Sequence, residues 1–350
     1  MATGLPAPGT PAKARVMTAI PQTMTAIDPA SPGGPEVLVP VERPVPSPAP
    51  GEVLIRVHAA GVNRPDVLQR LGRYPMPPGI TSIPGLEVAG EVVALGEGVT
   101  RLHLGDPVTA LLAGGGYAEY AVAPEGQCLP VPAGLRFVEA AGLPETYFTV
   151  WANLFGLGQA AAGQTVLVHG GTSGIGVTAI DLCRLFDIAI IVTCGTDAKC
   201  DAARAMGATH ALDYTDGDFA SEVRDLTGGR GVDVVLDMVG GDYVARNLVC
   251  LADEGRHVSI AFQRGQRTEI DLGLLMRKRI RMTGSLLRPR DVAFKSALAA
   301  DLREKVWPAF ADGRLSARLD RTFPLADAEG AHRLMEQGGH VGKIVLEVIP

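Results

Sequence analysis

The stretch Thr165-Val166-Leu167-Val168-His169-Gly170-Gly171-Thr172-Ser173-Gly174-Ile175-Gly176 constrains this chain more than any other. Its opening run of aliphatic residues lacks polar alternation, which suits a strand buried on both faces of a parallel sheet. The glycines then permit a tight turn, and Val177–Arg184 continues as an amphipathic helix. In such a turn the missing side chains let the main chain approach a diphosphate. The helix start adds unpaired N–H groups and the positive end of its dipole. Set against G-x-G-x-x-G, the positions are Gly171, Ser173 and Gly176, with serine for the middle glycine. The flanking strand and helix supply the context that makes the pattern a dinucleotide site rather than a bare glycine-rich turn.

The surrounding chain repeats this texture. From Pro144 onward a helix at Thr149–Leu157 leads into alternating strands and helices: Thr165–His169, Ile175–Phe186, Ile188–Thr193, Ala198–Met206, Val232–Asp237, Tyr243–Leu251, Arg256–Phe262 and Arg279–Gly284. This alternation predicts a doubly wound α/β domain. Before Pro144 the pattern is different. Glu52–His58 alternates with period two, and strand-like runs at Val88–Leu95, Pro107–Leu112 and Tyr117–Val122 are separated by Gly- and Pro-rich turns. They predict a compact β unit with one short helix at Pro65–Leu71. After a helix at about Asp291–Phe310, the tail (Leu319–Pro324, Ala326–Met335, Lys343–Val348) is too small for a domain, so it should return to the first. The expected organisation is a mobile extension 1–23, a β domain 24–145, a dinucleotide domain 146–286, and a return segment 287–350.

The second strand of the dinucleotide unit ends at Cys194-Gly195, where an NAD site places a carboxylate for the ribose 2′-hydroxyl. Lys199 follows, and Asp197 reads as the cap of a helix beginning at Ala198. Space and positive charge there favour the 2′-phosphate of NADPH. Elsewhere the charge is unremarkable: a net −6 over 350 residues without a long basic run argues against a nucleic-acid partner. No apolar stretch is long enough to span a bilayer, so no membrane role is expected. Cys128, Cys183, Cys194, Cys200 and Cys250 are scattered and odd in number, which fits a reducing, cytoplasmic setting rather than a disulfide framework. Cys128, His58 and His103 are isolated, and three-ligand zinc spacing is missing.

Three blocks define a resemblance: Ala60-Gly61-Val62-Asn63-Arg64-Pro65-Asp66 with Gly72-Arg73-Tyr74-Pro75, then Pro84-Gly85-Leu86-Glu87-Val88-Ala89-Gly90, and the glycine turn at 170–176. Leu143-Pro144-Glu145, Thr283-Gly284-Ser285-Leu286-Leu287-Arg288 and Gly342-Lys343-Ile344-Val345-Leu346 support it. From about Met24 to Pro350 the chain resembles the zinc-free quinone oxidoreductases of the medium-chain dehydrogenase/reductase superfamily. Within them it is most similar to the tumour-suppressor-inducible quinone oxidoreductase subgroup. The resemblance implies a GroES-like β domain, a Rossmann domain and NADPH in a cleft between them. Zinc-bearing relatives carry a cysteine where this chain has Asn63 and a histidine where it has Leu86. Carried onto this chain, it implies phosphate contacts from the turn Gly171, Thr172, Ser173, Gly174, Ile175 and Gly176. It further implies a 2′-phosphate pocket of Gly195, Thr196, Lys199 and Tyr214, and Thr149 at the nicotinamide carboxamide. Phe262, Ser285, Leu286 and Leu287 are expected to line the nicotinamide groove. Where some relatives add an arginine to the phosphate site, this chain reads Glu336-Gln337-Gly338-Gly339-His340.

The expected reaction is hydride transfer from NADPH to a quinone, with Asn63 and Tyr74 donating hydrogen bonds to the acceptor oxygen. Asp66, near a helix start, reads as structural. Two alternatives stand beside this: reduction of an activated C=C bond in an enone, alkenal or enoyl thioester, and a non-catalytic NADPH-binding sensor or structural protein on the same fold. An exposed sheet edge near Arg279–Gly284 suggests a homodimer or homotetramer.

Overall fold

The structure, a computed structural model, describes residues 19–74 and 76–349. Most of the expected extension 1–23 therefore lies outside the described residues. Among the described residues the strands form two large sheets and a separate two-stranded one made by the first two strands. The first domain contains β1 (Thr23–Ile27), β2 (Pro40–Pro44), β3 (Glu52–Val62), β4 (Glu87–Leu95), β5 (Pro107–Leu111), β6 (Tyr120–Pro124) and β7 (Cys128–Pro130). The second contains β8 (Thr165–His169), β9 (Ala189–Cys194), β10 (His210–Asp213), β11 (Val232–Asp237), β12 (Leu251–Ser259) and β13 (Arg281–Gly284). Two late strands, β14 (Leu319–Pro324) and β15 (Lys343–Glu347), go back to the first sheet, in the order β14-β15-β3-β4-β5-β7 with β6 also on β3. β15 runs antiparallel to β3, with Val345 opposite Gly61.

The second sheet has the order β10-β9-β8-β11-β12-β13, and every pair in it is parallel. The order reverses between β8 and β11, which opens the crevice where ligands bind in such sheets. The architecture is α/β: a GroES-like β domain joined to a Rossmann-type doubly wound sheet. Val232–Asp237 is buried at every position, Asp233 and Asp237 included, as a strand covered on both faces requires. One apolar cluster crosses the domain boundary. Leu111 and Leu129 of the β domain pack with Tyr147 and Phe148, and with Leu302, Trp307 and Phe310 of the return segment.

Several expected boundaries move, for local reasons. The first strand opens at Thr23, opposite Pro44 of β2. Thr149–Leu157 is not one α-helix: an α-helix Pro144–Val150 passes into a π-helix Trp151–Leu157. There the buried Asn153 donates its amide Nδ2–H to the Thr149 carbonyl at 2.9 Å. The helix expected over Asp291–Phe310 breaks into Val292–Lys305 and Pro308–Ala311, because Pro308 cannot continue a helix. The cap of the helix Asp197–Met206 is Thr196, whose hydroxyl accepts from the Lys199 N–H at 3.3 Å; Asp197 is the first helical residue. All five cysteines are free and buried. Among the described residues no helix is long and apolar enough to cross a membrane.

Candidate active site

The glycine turn sits at the start of the helix Gly174–Leu185, directly after β8. Ser173 caps that helix: its hydroxyl accepts from the Gly176 N–H at 3.1 Å and donates to the Gly170 carbonyl at 2.7 Å. Serine therefore does locally what the usual middle glycine cannot. The first-turn amides of Gly174 and Ile175 have no partner within the helix. Crowding explains the glycines. A Cβ on Gly176 would stand 2.3 Å from the Gly170 oxygen, and one on Gly171 would stand 2.6 Å from Val192 Cγ2.

The return segment walls this turn. The Gly342 N–H donates to the Thr172 carbonyl at 2.8 Å, and a Cβ on Gly174 would lie 2.8 Å from Lys343 Cδ. Lys343 thus lays its aliphatic stem against the turn. Its Nζ is 2.7 Å from Glu87 Oε1 and donates to Asn63 Oδ1 at 2.5 Å. Asn63 Nδ2 donates to the same Glu87 oxygen at 2.8 Å, and Glu87 Oε2 accepts from the Glu145 N–H at 2.8 Å. Both functional atoms of the Asn63 amide are held within this group. It does not stand free toward an acceptor, contrary to the expectation from sequence.

The residues expected at a 2′-phosphate lie close to one another. Gly195 follows β9, and a Cβ there would meet the Tyr214 hydroxyl at 2.8 Å. Thr196 and Tyr214 are exposed and Lys199 is half-buried. The Lys199 ammonium donates to the Gly338 carbonyl and has no carboxylate partner among the described residues. His340, below its ordinary range through burial and the nearby Lys199 charge, is packed beside it.

At the other end of the crevice Thr149 is buried, with no partner for its hydroxyl among the described residues. Ser285 donates to Asn153 Oδ1 at 2.7 Å, and Phe262 and Leu286 are both 51% exposed. Leu287 departs from expectation: it is buried in the shared apolar cluster rather than lining an open groove. Tyr74 is half-buried, its ring centroid 5.3 Å from the Arg288 guanidinium carbon. Burial and the neighbouring Glu145 push its hydroxyl up to about 12, so it remains a hydrogen-bond donor. Arg288 donates from Nε to the Ala113 carbonyl at 2.6 Å, while its two terminal nitrogens are buried and have no hydrogen-bond partner among the described residues.

Asp66 is sealed. It accepts the Asn63 N–H at 2.8 Å and the Gly85 N–H at 3.1 Å, with the Tyr117 hydroxyl at 3.3 Å. Four residues at this end, Glu87, Glu145, Arg288 and Lys343, were not singled out as site residues from sequence. Their contacts span tens to hundreds of positions, and only the shared motif blocks hinted at them.

This β domain closed against a parallel dinucleotide-type sheet defines an oxidoreductase class. Residues 49–133 match the model described as alcohol dehydrogenase GroES-like domain, and 206–346 match that described as zinc-binding dehydrogenase. The chain is 30% identical over 297 residues to the "Quinone oxidoreductase-like protein 2 homolog" of Nematostella vectensis, covering 84% of this chain and 81% of that one. The native structure of a mycobacterial protein complexed with NADPH is 33% identical, with a TM-score of 0.83 over 93% of this chain and 100% of that one. The apo JamJ enoyl reductase is 27% identical, with a TM-score of 0.83 over 93% and 99%. The chain belongs to the medium-chain dehydrogenase/reductase superfamily.

It also matches the phthioceranic/hydroxyphthioceranic acid synthase of Mycobacterium tuberculosis, 34% identical over 86% of this chain, but spans only 14% of that protein's length. Asn63 and Leu86 offer an amide and an alkyl group, Glu87 is tied to Lys343, and the described residues hold no cluster of three metal-ligating side chains.

Proposed function

We propose that this chain is an NADPH-dependent oxidoreductase that passes a hydride to quinones in a metal-free cleft between its domains, as a member of the tumour-suppressor-inducible subgroup. The observation that carries the reading is the pairing of a glycine cradle, closed to any Cβ, with Lys199, a cation that has no carboxylate partner among the described residues. The turn 171–176 binds the diphosphate; Gly195, Thr196, Lys199 and Tyr214 receive the 2′-phosphate. Thr149 takes the carboxamide, with Phe262, Ser285 and Leu286 along the ring and Leu287 supporting them from the core. Bound there, the reduced dinucleotide supplies the hydride. Tyr74 donates to the acceptor oxygen, and Asn63 acts at one remove by holding Glu87 and Lys343 in place. The five buried thiols fit a reducing, cytoplasmic setting.

A second reading, reduction of an activated C=C bond, is favoured by the hydrogen-bond donors gathered around Tyr74 and Arg288, and by the likeness to an enoyl reductase. Steady-state NADPH oxidation by the purified protein, with a panel of quinones and of enones, tests both. Turnover with 1,4-quinones is expected. Tight NADPH binding with no turnover on any acceptor would replace the enzyme reading with a sensor role. We further propose a homodimer formed through the edge of β13.

A further inference from the structure

Three carboxyl groups gather where the helix Pro144–Val150 leaves the β domain: Asp66, Glu87 and Glu145. Two of them are fully engaged. Asp66 accepts two main-chain N–H groups, and Glu87 is bound by Asn63, Lys343 and the Glu145 N–H. Glu145 differs. Its side chain is only half-buried, and its carboxyl oxygens have no hydrogen-bond partner among the described residues. It lies four residues before Thr149, so the two side chains share one face of the helix. If Thr149 meets the carboxamide of the nicotinamide, Glu145 stands one turn away beside the same ring. The charged and titratable groups around it are Tyr74, Asp66, Glu87, Lys343, Arg288 and Lys295.

We propose that Glu145 is the acid that protonates the α-carbon when this cleft reduces a conjugated C=C bond, the second reading given above. The proposal rests on the hydride-transfer reading above. The β-carbon of the acceptor receives a hydride with its electron pair. The C=C π pair shifts toward the α-carbon and carbonyl oxygen, giving an enolate that the Tyr74 hydroxyl can hold. The Glu145 O–H bond then breaks: the proton joins the α-carbon and the electron pair stays on the carboxylate, which regains a proton from water. The net reaction consumes one NADPH and one proton per C=C bond reduced. A quinone makes no such demand, because its reduced oxygens take protons from solvent.

For this task the carboxyl must hold its proton at neutral pH. Burial, and then the Glu87 charge, push Glu145 up to about 8, against the opposing pull of Lys343. Below that value the acid is loaded; above it the acid is spent.

The test compares wild type, Glu145→Gln and Glu145→Asp, using NADPH with 2-cyclohexenone and with 1,4-benzoquinone. NADPH affinity and melting temperature are measured for each protein. For Glu145→Gln the ratio of kcat/KM on the enone to that on the quinone should fall by about 10²–10⁴, the usual share of a general acid. Glu145→Asp should recover part of that loss. Wild-type kcat/KM on the enone should decline as pH rises through about 8, and Glu145→Gln should lack that limb. The proposal is overturned if the ratio changes by less than about threefold, or if both acceptors and NADPH binding suffer alike, which marks a structural role. A wild type that reduces the quinone but not the enone overturns it too, while leaving hydride transfer intact; failure with both acceptors defeats the underlying reading.

Discussion

Lys199 is the residue on which the proposed preference for NADPH turns. Its carbonyl partner Gly338 occupies one ammonium hydrogen, and two remain for a phosphate. An ion pair with a doubly charged 2′-phosphate in a half-exposed site contributes about 1.5–3 kcal/mol. Lys199→Ala should therefore weaken NADPH binding by roughly 10–100-fold while leaving NADH binding nearly unchanged. Fluorescence titration at two salt concentrations checks this, since the NADPH term alone should be salt-sensitive. Equal loss for both nucleotides would remove Lys199 from the phosphate pocket. This residue was legible in the sequence because a missing carboxylate and a following lysine lie within one βα unit. Asn63 was legible only as a position: its role depended on Lys343, 280 residues away, which no local pattern reveals.

At the scale of elements, the strand–turn–helix at 165–185 was readable because it answers to backbone demands that few residues satisfy. Gly176 is the strictest. A methyl there meets main-chain atoms of Gly170 and Gly171, which cannot rotate away as a side chain would. Gly176→Ala should destabilise the fold by about 1–3 kcal/mol through overpacking and abolish measurable nucleotide binding. Thermal melting together with NADPH titration reads both, and unchanged binding would mean the turn does not hold the diphosphate. The π-helix at 151–157 was not readable. An apolar pattern fits several helical windings, and the choice here turns on one buried amide, Asn153, and its bond to Ser285 in another loop. The strand β10 and the helix Leu272–Lys278 were missed because short elements with charged residues carry little periodicity, whereas Phe219–Leu226 does place Phe219, Ala220 and Val223 on one buried face and could have been read.

Across the whole molecule, β13 leaves an edge of the parallel sheet open. All four of its residues are exposed, and Leu272, Met276 and Met282 expose apolar surface nearby, at 63%, 73% and 40%. An unpaired edge flanked by such a patch is a template for a second strand. In solution the mass should be twice that of one chain. The double variant Leu272→Asp/Met276→Asp should shift it toward the single-chain value, with NADPH turnover per chain as a check on folding. Light scattering that finds single chains at micromolar concentration would remove the pairing. The return of β14 and β15 to the first sheet was foreseen from the tail's small size; what they do at the nucleotide site was not.

That return has a consequence for how the protein is made. Gly338, Gly342 and Lys343 leave the ribosome after every strand of the parallel sheet, yet they form the wall against which Lys199, Thr172 and Gly174 rest. A chain clipped or stalled just ahead of Gly338 can assemble six parallel strands and still offer an unfinished berth for its cofactor. On the proposed reading, dinucleotide binding should require translation through β15, and a chain halted earlier should bind it more weakly.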